Sequence, residues 1–140
     1  MALNNHQKRI AVALLVLRLT VFLVMLIWTI DKFVRPDHAA SVYERFYALR
    51  GFSPTMMYLI GTAELPLLIG FVIGFVQRFT YGAVFILHAI STLSSFPKYF
   101  HPYEQLNLLF FAAWPMLGAC FTLYYLRDLD TLWSVRSRHE

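Results

Sequence analysis

The chain has 140 residues, of which 59% are hydrophobic and only 14% are charged, with a formal charge of +4. Because soluble domains carry about 25% charged residues, this composition argues against a water-soluble domain and predicts a single domain within a membrane. The basic residues stand singly at the ends of apolar runs, which argues against nucleic-acid binding and favours contact with anionic lipid head groups.

The first apolar run, residues 10–30, predicts a membrane-spanning helix. Lys8 and Arg9 precede this run as in a signal peptide, but the run is too long for one and no small-residue cleavage motif follows it. We therefore expect an uncleaved first span, which ends at the polar segment from Asp31 to Pro36.

The connection over residues 36–55 contains a short amphipathic pattern. Its apolar and aromatic residues recur at helical spacing: Val42, Tyr43, Phe46, Tyr47 and Leu49. The spacing predicts a short helix in the membrane interface, ended by Gly51 and Pro54. The alternative is a lid over the mouth of the bundle.

Three further apolar runs predict spans at about residues 56–76, 79–96 and 106–126. With the first span they predict an all-α fold, an integral membrane four-helix bundle, in one transmembrane domain over residues 1–140. In the second span, Gly70 and Gly74 form a GxxxG pattern that permits another helix to approach closely. Incidental glycines in an apolar span would leave the same pattern.

The distribution of lysine and arginine near the span ends predicts the orientation in the membrane. An even number of spans puts both termini on one side, which holds six basic residues: Lys8, Arg9, Arg78, Arg127, Arg136 and Arg138. The opposite side holds five: Lys32, Arg35, Arg45, Arg50 and Lys98. The difference favours a multi-pass protein with cytoplasmic termini.

Three ionisable residues lie inside the predicted spans: Arg18, Glu64 and His88. A charged residue at the centre of a span costs at least about 2.5–3.5 kcal/mol, so each of the three is a candidate functional residue. At about 1.5 Å per residue, each lies roughly 12–14 Å from the start of its span, which brings Arg18 and Glu64 together near the midplane. We therefore expect an Arg18–Glu64 ion pair that keeps Glu64 ionised.

Polar side chains continue from His88 along one face of the third span, at helical spacing. The full set predicts a ligand-binding cleft that opens at the outer surface: Arg18, Glu64, His88, Ser91, Thr92 and Ser95. The alternative is a structural role for each member. The ion pair would then fix the helix register, His88 would be a packing residue, and the hydroxyls would bond their own helix.

Motifs for nucleotide binding, a nucleophilic triad, a zinc hydrolase or a bis-histidine haem site do not occur in the sequence. Loop residues with metal-binding side chains match no metal-site spacing: Asp37, His38, His101 and Glu104. We therefore predict no catalytic residue, no metal site and no covalently bound cofactor. We favour a chain that is not an enzyme on its own.

Short patterns along nearly the whole chain match one family. Residues 16–19 read VLRL and residues 28–33 read WTIDKF, so that an arginine opens the first span and a lysine–aromatic pair closes it. Further patterns are LRGF at 49–52, GTAELPLLIGF at 61–71, GFVQR at 74–78 and LRDLDTL at 126–132. Together these segments resemble the DoxX-like family of small four-span membrane proteins.

This resemblance implies a four-helix bundle in a bacterial inner (plasma) membrane, as a subunit of a larger quinone-linked redox or respiratory assembly. Glu64 and His88 would contact a quinone head group, and Arg18 would hold Glu64. The partners would be membrane lipids and other membrane-protein subunits, which would carry the redox centres. The alternative is a non-catalytic accessory, assembly or stabilising protein whose Arg–Glu–His cluster is structural.

Overall fold

A computed structural model gives the structure of the chain and describes residues 3–135. Its α-helices are α1 (Asn5–Val34), α2 (Pro36–Tyr47), α3 (Pro54–Val72), α4 (Gln77–Ser94), α5 (Phe96–Phe100) and α6 (Ala113–Tyr125). Short 3₁₀ helices cover Asn107–Ala112 and Arg127–Leu129, and the described residues contain no strand. The all-α prediction is confirmed. Arg136 and Arg138, used in the orientation prediction, lie outside the described residues.

Four long helical segments pack in a ring. α1 contacts α3 and α6, and α4 contacts the same two helices from the other side. The 3₁₀ helix Asn107–Ala112 leads directly into α6, so the two form one helical segment of 19 residues. The first residues of α1, the α3–α4 turn and the chain after α6 meet at one end of the ring, which we call the terminal end. α2 lies at the opposite end.

Within residues 3–135, three helical segments are long and apolar enough to cross a bilayer: Asn5–Val34, Pro54–Val72 and Asn107–Tyr125. α4 is not among them, since polar side chains lower its hydropathy. Much of the outer surface is apolar, and large side chains such as Leu23, Leu59 and Phe79 are exposed. A water-soluble monomer rarely exposes so much apolar area. These features support the prediction of a membrane protein.

Local signals extend α1 and α3 beyond the predicted apolar runs. Asn4 caps α1 by accepting a hydrogen bond from the Gln7 backbone at 2.8 Å, and the Gln7 side chain accepts one from Asn4 in return. This reciprocal cap starts α1 within the polar segment before the apolar run. Ser53 caps α3 and Pro54 occupies its first turn, where no backbone N–H is needed.

The connection between α1 and α3 contains the predicted helix, which is α2. It ends at Tyr47 because Ala48 adopts a left-handed conformation (φ 54°), and Leu49 lies outside the helix. α2 packs against α1, α3 and α4 and so covers one end of the ring. This position favours the lid interpretation over a helix that lies only in the membrane interface.

The two glycines of the GxxxG pattern have different roles. A Cβ atom at Gly70 would lie 3.1 Å from Thr80 Cγ2, so Gly70 permits the close approach of α4. Gly74 lies beyond the end of α3 in a turn with φ +68°, where a Cβ would collide with Ser134. Gly70 therefore packs against α4, whereas Gly74 lies outside the helix, because α3 ends before it.

One stripe of α1 faces the interior of the ring. Its buried residues recur every three or four positions: Ala11, Leu14, Arg18, Val21, Met25, Thr29 and Lys32. This spacing keeps the residues on one face of the helix. The stripe carries two basic residues, Arg18 and Lys32, which are about 21 Å apart along the helix axis.

Candidate functional site

Arg18 lies at the terminal end, where the chain after α6 surrounds its guanidinium group. Nη1 donates to Asp130 Oδ2 at 2.9 Å and to the Tyr81 hydroxyl at 3.0 Å. Nη2 donates to the backbone carbonyls of Leu132 at 2.6 Å and Trp133 at 3.2 Å. Arg18 and Asp130 are both 0% exposed. We call Arg18, Tyr81 and Asp130 the terminal cluster.

Further hydrogen bonds hold the segment after α6 in this position. The Tyr81 hydroxyl donates to Asp130 Oδ2 at 2.6 Å, and Gln77 Nε2 donates to the Asp130 carbonyl at 2.9 Å. The backbone N–H of Val135 donates to the Ile73 carbonyl at 2.8 Å. The segment after α6 therefore closes the terminal end. The guanidinium group of Arg18 binds this segment through its hydrogen bonds to Asp130 and to the backbone carbonyls.

Glu64 lies in a different cluster, near the α2 end. Its Oε2 is 3.2 Å from Lys32 Nζ and accepts a hydrogen bond from Thr29 Oγ1 at 2.8 Å. The Lys32 ammonium group also contacts the Trp28 carbonyl at 3.4 Å. The predicted Arg18–Glu64 ion pair is therefore wrong, because each residue binds another partner.

The register between α1 and α3 explains this error. The ring of Phe33 lies against Gly61, where a Cβ would be 2.7 Å from Phe33 Cε2. This contact puts the start of α3 about two turns beyond the end of α1 and brings Glu64 level with Thr29. Eleven residues separate Thr29 from Arg18, about 16 Å along the helix, which is too far for a direct ion pair.

Glu64 and Lys32 form part of the wall of a cavity beneath α2, which we call the α2 pocket. Its volume is about 320 Å³. α2 contributes mainly Val42, Tyr43 and Phe46, and α1 adds Trp28 on the opposite side. The pocket is therefore largely aromatic and apolar, with a few polar groups on α1, α3 and α4.

His88 lies on the α4 side of the α2 pocket and is almost fully buried. Its Nε2 is 3.0 Å from the Ala113 carbonyl and 3.2 Å from Thr92 Oγ1. The Thr92 hydroxyl donates its own hydrogen to the His88 carbonyl at 2.8 Å. Both contacts therefore require a donor, and we assign the hydrogen of the neutral imidazole to Nε2.

The second ring nitrogen of His88, Nδ1, is buried and has no hydrogen-bond partner among residues 3–135. In the neutral tautomer assigned above, Nδ1 is an acceptor. Trp28 stacks against the imidazole with ring centroids 5.9 Å apart. The imidazole is thus held in place from both sides, with one acceptor atom unused.

The serine and threonine residues of the predicted stripe separate into two groups. Ser91 and Ser95 line the α2 pocket. Thr92 does not line it and instead contacts His88 from within α4. The Ser95 hydroxyl donates to the Ser91 carbonyl at 3.1 Å, as expected for a hydroxyl that bonds its own helix. Of the six predicted site residues, Glu64, His88, Ser91 and Ser95 share one pocket.

Charged groups at the outer rim of the pocket bind one another. Asp31 accepts hydrogen bonds from Arg35 at 2.7 Å and contacts His38 Nδ1 at 2.8 Å. On α2, burial raises the pKa of the Tyr43 hydroxyl, and the negative charge of Glu64 raises it further. The Lys32 ammonium lies 5.8 Å from the centre of the Tyr43 ring. Tyr43 therefore lines the pocket as a neutral phenol.

Sequence reasoning missed four partners of the predicted residues: Thr29, Lys32, Tyr81 and Asp130. A signal existed for Lys32, because it lies 14 positions after Arg18 and 14 residues are four helical turns. No periodic signal existed for Asp130, which lies after the last helix. The sequence pattern predicts that Lys32 ends the first span near the outer mouth of the cleft, and the structure adds its ion pair with Glu64.

Comparisons with family models, curated proteins and solved structures find no match to this chain.

Proposed function

We propose that the chain is a DoxX-like membrane protein that binds the head group of a quinone in the α2 pocket, as a subunit of a larger redox assembly. The observation that carries the proposal is that Lys32 and His88 both line one largely aromatic pocket. A quinone head group is a flat ring with two carbonyl acceptors. It needs aromatic walls and a small number of placed hydrogen-bonding groups.

The chemistry of the two groups supports this ligand. The ammonium of Lys32 has three N–H donors, of which Glu64 and the Trp28 carbonyl use two. The third is available to a quinone carbonyl. His88 Nδ1 is an unused acceptor, which suits the hydroxyl of the reduced quinol. Lys32 thus offers a donor for the oxidised form, and His88, which lines the pocket, holds a buried acceptor for the reduced form beside it.

The proposal includes α4 as a fourth membrane span. α4 has 18 residues, which lies within the range of about 17–25 that crosses a bilayer. Its polar residues Gln77, His88 and Thr92 are buried, whereas Phe79 and Ile90 are exposed. A helix with this arrangement presents apolar side chains to lipid. The bacterial inner membrane and the cytoplasmic termini remain predictions from the resemblance and the charge distribution.

Direct binding tests this function. Organic extraction of the protein purified in mild detergent should release quinone, and added quinone should bind to the emptied protein. The substitution His88→Ala should weaken binding about two- to tenfold, the equivalent of one hydrogen bond. His6→Ala, in the exposed first turn of α1, is the matched control. An extract without quinone, together with a flat titration, would exclude the function.

The second candidate is the accessory protein whose buried charges are structural. The terminal cluster favours it for Arg18, which lies outside the α2 pocket. If Glu64→Gln and His88→Ala leave the activity of the host assembly unchanged, the accessory function is correct. Changes on exposed surfaces should then abolish association. Gly70 and Gly74 are unsuitable for that test, because both pack against the chain itself.

A further inference from the structure

A second cavity lies beside the α2 pocket, between α1 and the segment that leads into α6. We call it the α6 cavity. Its volume is about 610 Å³. It shares five lining residues with the α2 pocket: Trp28, His88, Ser91, Ser95 and Phe110. The two cavities are therefore adjacent and separated only by these side chains.

The two cavities differ in chemistry. The α2 pocket contains the charged groups of Asp31, Lys32 and Glu64. Among the described residues, none that lines the α6 cavity is charged, and apart from the shared residues only Thr20 has a polar side chain. The Thr20 hydroxyl bonds the Val16 and Leu17 carbonyls of its own helix, at 2.9 and 3.0 Å. The α6 cavity thus presents hydrocarbon surface.

Small residues create the space of the α6 cavity. Ala112, Ala113 and Ala119 line it from the α6 side, where larger side chains would fill it. At its rim, Thr20 on α1 and Leu109 before α6 are exposed on the outer surface of the ring. In the proposed four-span arrangement this surface faces lipid. The cavity therefore opens sideways into the bilayer and not toward either aqueous end.

We propose that the two cavities form one divided site for a lipid with a compact polar head and a single long apolar chain. The head lies in the α2 pocket, and the chain leaves through the α6 cavity into the surrounding bilayer. The inference rests on the proposed function. It adds that the ligand enters sideways from the bilayer and that it needs an apolar chain for tight binding. Trp28 lies at the boundary, where the head joins the chain.

Trp28 also supplies the measurement. The chain has three tryptophans, so Trp114→Phe and Trp133→Phe leave Trp28 as the only one. Bound quinone should quench its fluorescence. Two probes are compared: a dimethoxy-methyl-benzoquinone without a chain, and the same head group with a decyl chain. The decyl compound should bind at least about tenfold more tightly, because burial of its chain adds apolar contact.

Two substitutions separate the head from the chain. Ala119→Phe fills the α6 cavity, and Thr20→Phe obstructs its exposed rim without disturbing the interior. Each should weaken decyl-quinone binding at least about tenfold and leave the chainless quinone within about twofold. Leu23→Phe is the control, because Leu23 is exposed on α1 and lines neither cavity.

The possible outcomes separate the two proposals. If the chainless quinone quenches Trp28 but neither substitution affects the decyl compound selectively, the lateral path is wrong and the head-group pocket stands. If Thr20→Phe weakens both probes equally, the two cavities do not act as head and chain sites. If neither probe quenches Trp28, the quinone function itself fails, and the ligand inferred here fails with it.

Discussion

The buried ion pair between Arg18 and Asp130 leads to a prediction about the stability of the bundle. The substitution Asp130→Ala removes the carboxylate and leaves the guanidinium of Arg18 at 0% exposure without a counter-charge. The carboxylate accepts hydrogen bonds from Arg18 at 2.9 Å and from Tyr81 at 2.6 Å. Hydrogen bonds to charged groups contribute about 1.5–3 kcal/mol each. Two such bonds agree with the loss of about 3–5 kcal/mol that follows when one partner of a buried pair is removed.

The assay is equilibrium unfolding in mixed micelles, with increasing SDS and helix content followed by circular dichroism. The control is Glu44→Gln, which breaks the exposed Arg50–Glu44 pair. In that pair the charged atoms are 3.9 Å apart and the side chains are 86% and 58% exposed. Its loss should change the free energy of unfolding by about 0–1 kcal/mol. If Asp130→Ala and Glu44→Gln have equal effects, the terminal cluster does not stabilise the bundle.

A double substitution tests whether the cost of losing Asp130 comes from the unpaired charge left on Arg18. Arg18→Met with Asp130→Leu replaces the pair by apolar side chains, and such replacements are often neutral or stabilising. The double variant should therefore be more stable than either single variant, with a coupling energy of about 0.5–3 kcal/mol in a mutant cycle. Additive effects of the two substitutions would show that the two side chains act independently.

Two further predictions concern α3 and α2. Gly61→Ala should be about 1–3 kcal/mol less stable than Gly118→Ala, because a Cβ at Gly61 collides with the Phe33 ring, whereas the space around Gly118 is open; unfolding in SDS measures both, and equal stabilities would contradict the α1–α3 register. Tyr43 has a raised pKa in the folded state, so the stability that its neutral phenol contributes is complete below about pH 10 and falls as pH rises further. Wild type should lose stability above pH 10 more steeply than Tyr43→Phe, and parallel curves would contradict the burial of this phenol.

Much of the fold could be predicted because apolar runs and helix length are local properties. The helices begin and end a few residues away from the predicted spans, since polar caps such as Asn4 and polar residues such as Lys32 continue the helix beyond the apolar run. This difference of a few residues in the helix bounds changes which side chains lie beside Glu64. Depth counted from the first apolar residue placed Glu64 opposite Arg18, whereas the Phe33–Gly61 contact places it beside Thr29.

The residues of the site were found more readily than their partners. A charge or a histidine inside an apolar run is visible in the sequence, and Arg18, Glu64 and His88 are all buried or partly buried as expected. Which groups they bind depends on helix register and on segments outside the spans. Asp130 reaches Arg18 only because the chain folds back after α6, and nothing local to Asp130 indicates this.

The two basic residues of the α1 stripe have different surroundings, although both lie on the same face of the helix. Arg18 has four hydrogen-bond acceptors, all supplied by the chain, and none of its side chain is exposed. Lys32 has one carboxylate and one carbonyl, and it faces a cavity. Both terminal nitrogens of Arg18 already donate to the chain and do not line the α2 pocket, whereas the Lys32 ammonium faces that pocket with an N–H that a ligand can accept. Substitutions of Asp130 should therefore lower stability in the absence of any ligand, and Lys32→Met with Glu64→Gln should lower quinone affinity more than stability. If the Asp130 variants instead lower quinone affinity and the Lys32 and Glu64 variants lower only stability, the ligand binds at the terminal end and not in the α2 pocket.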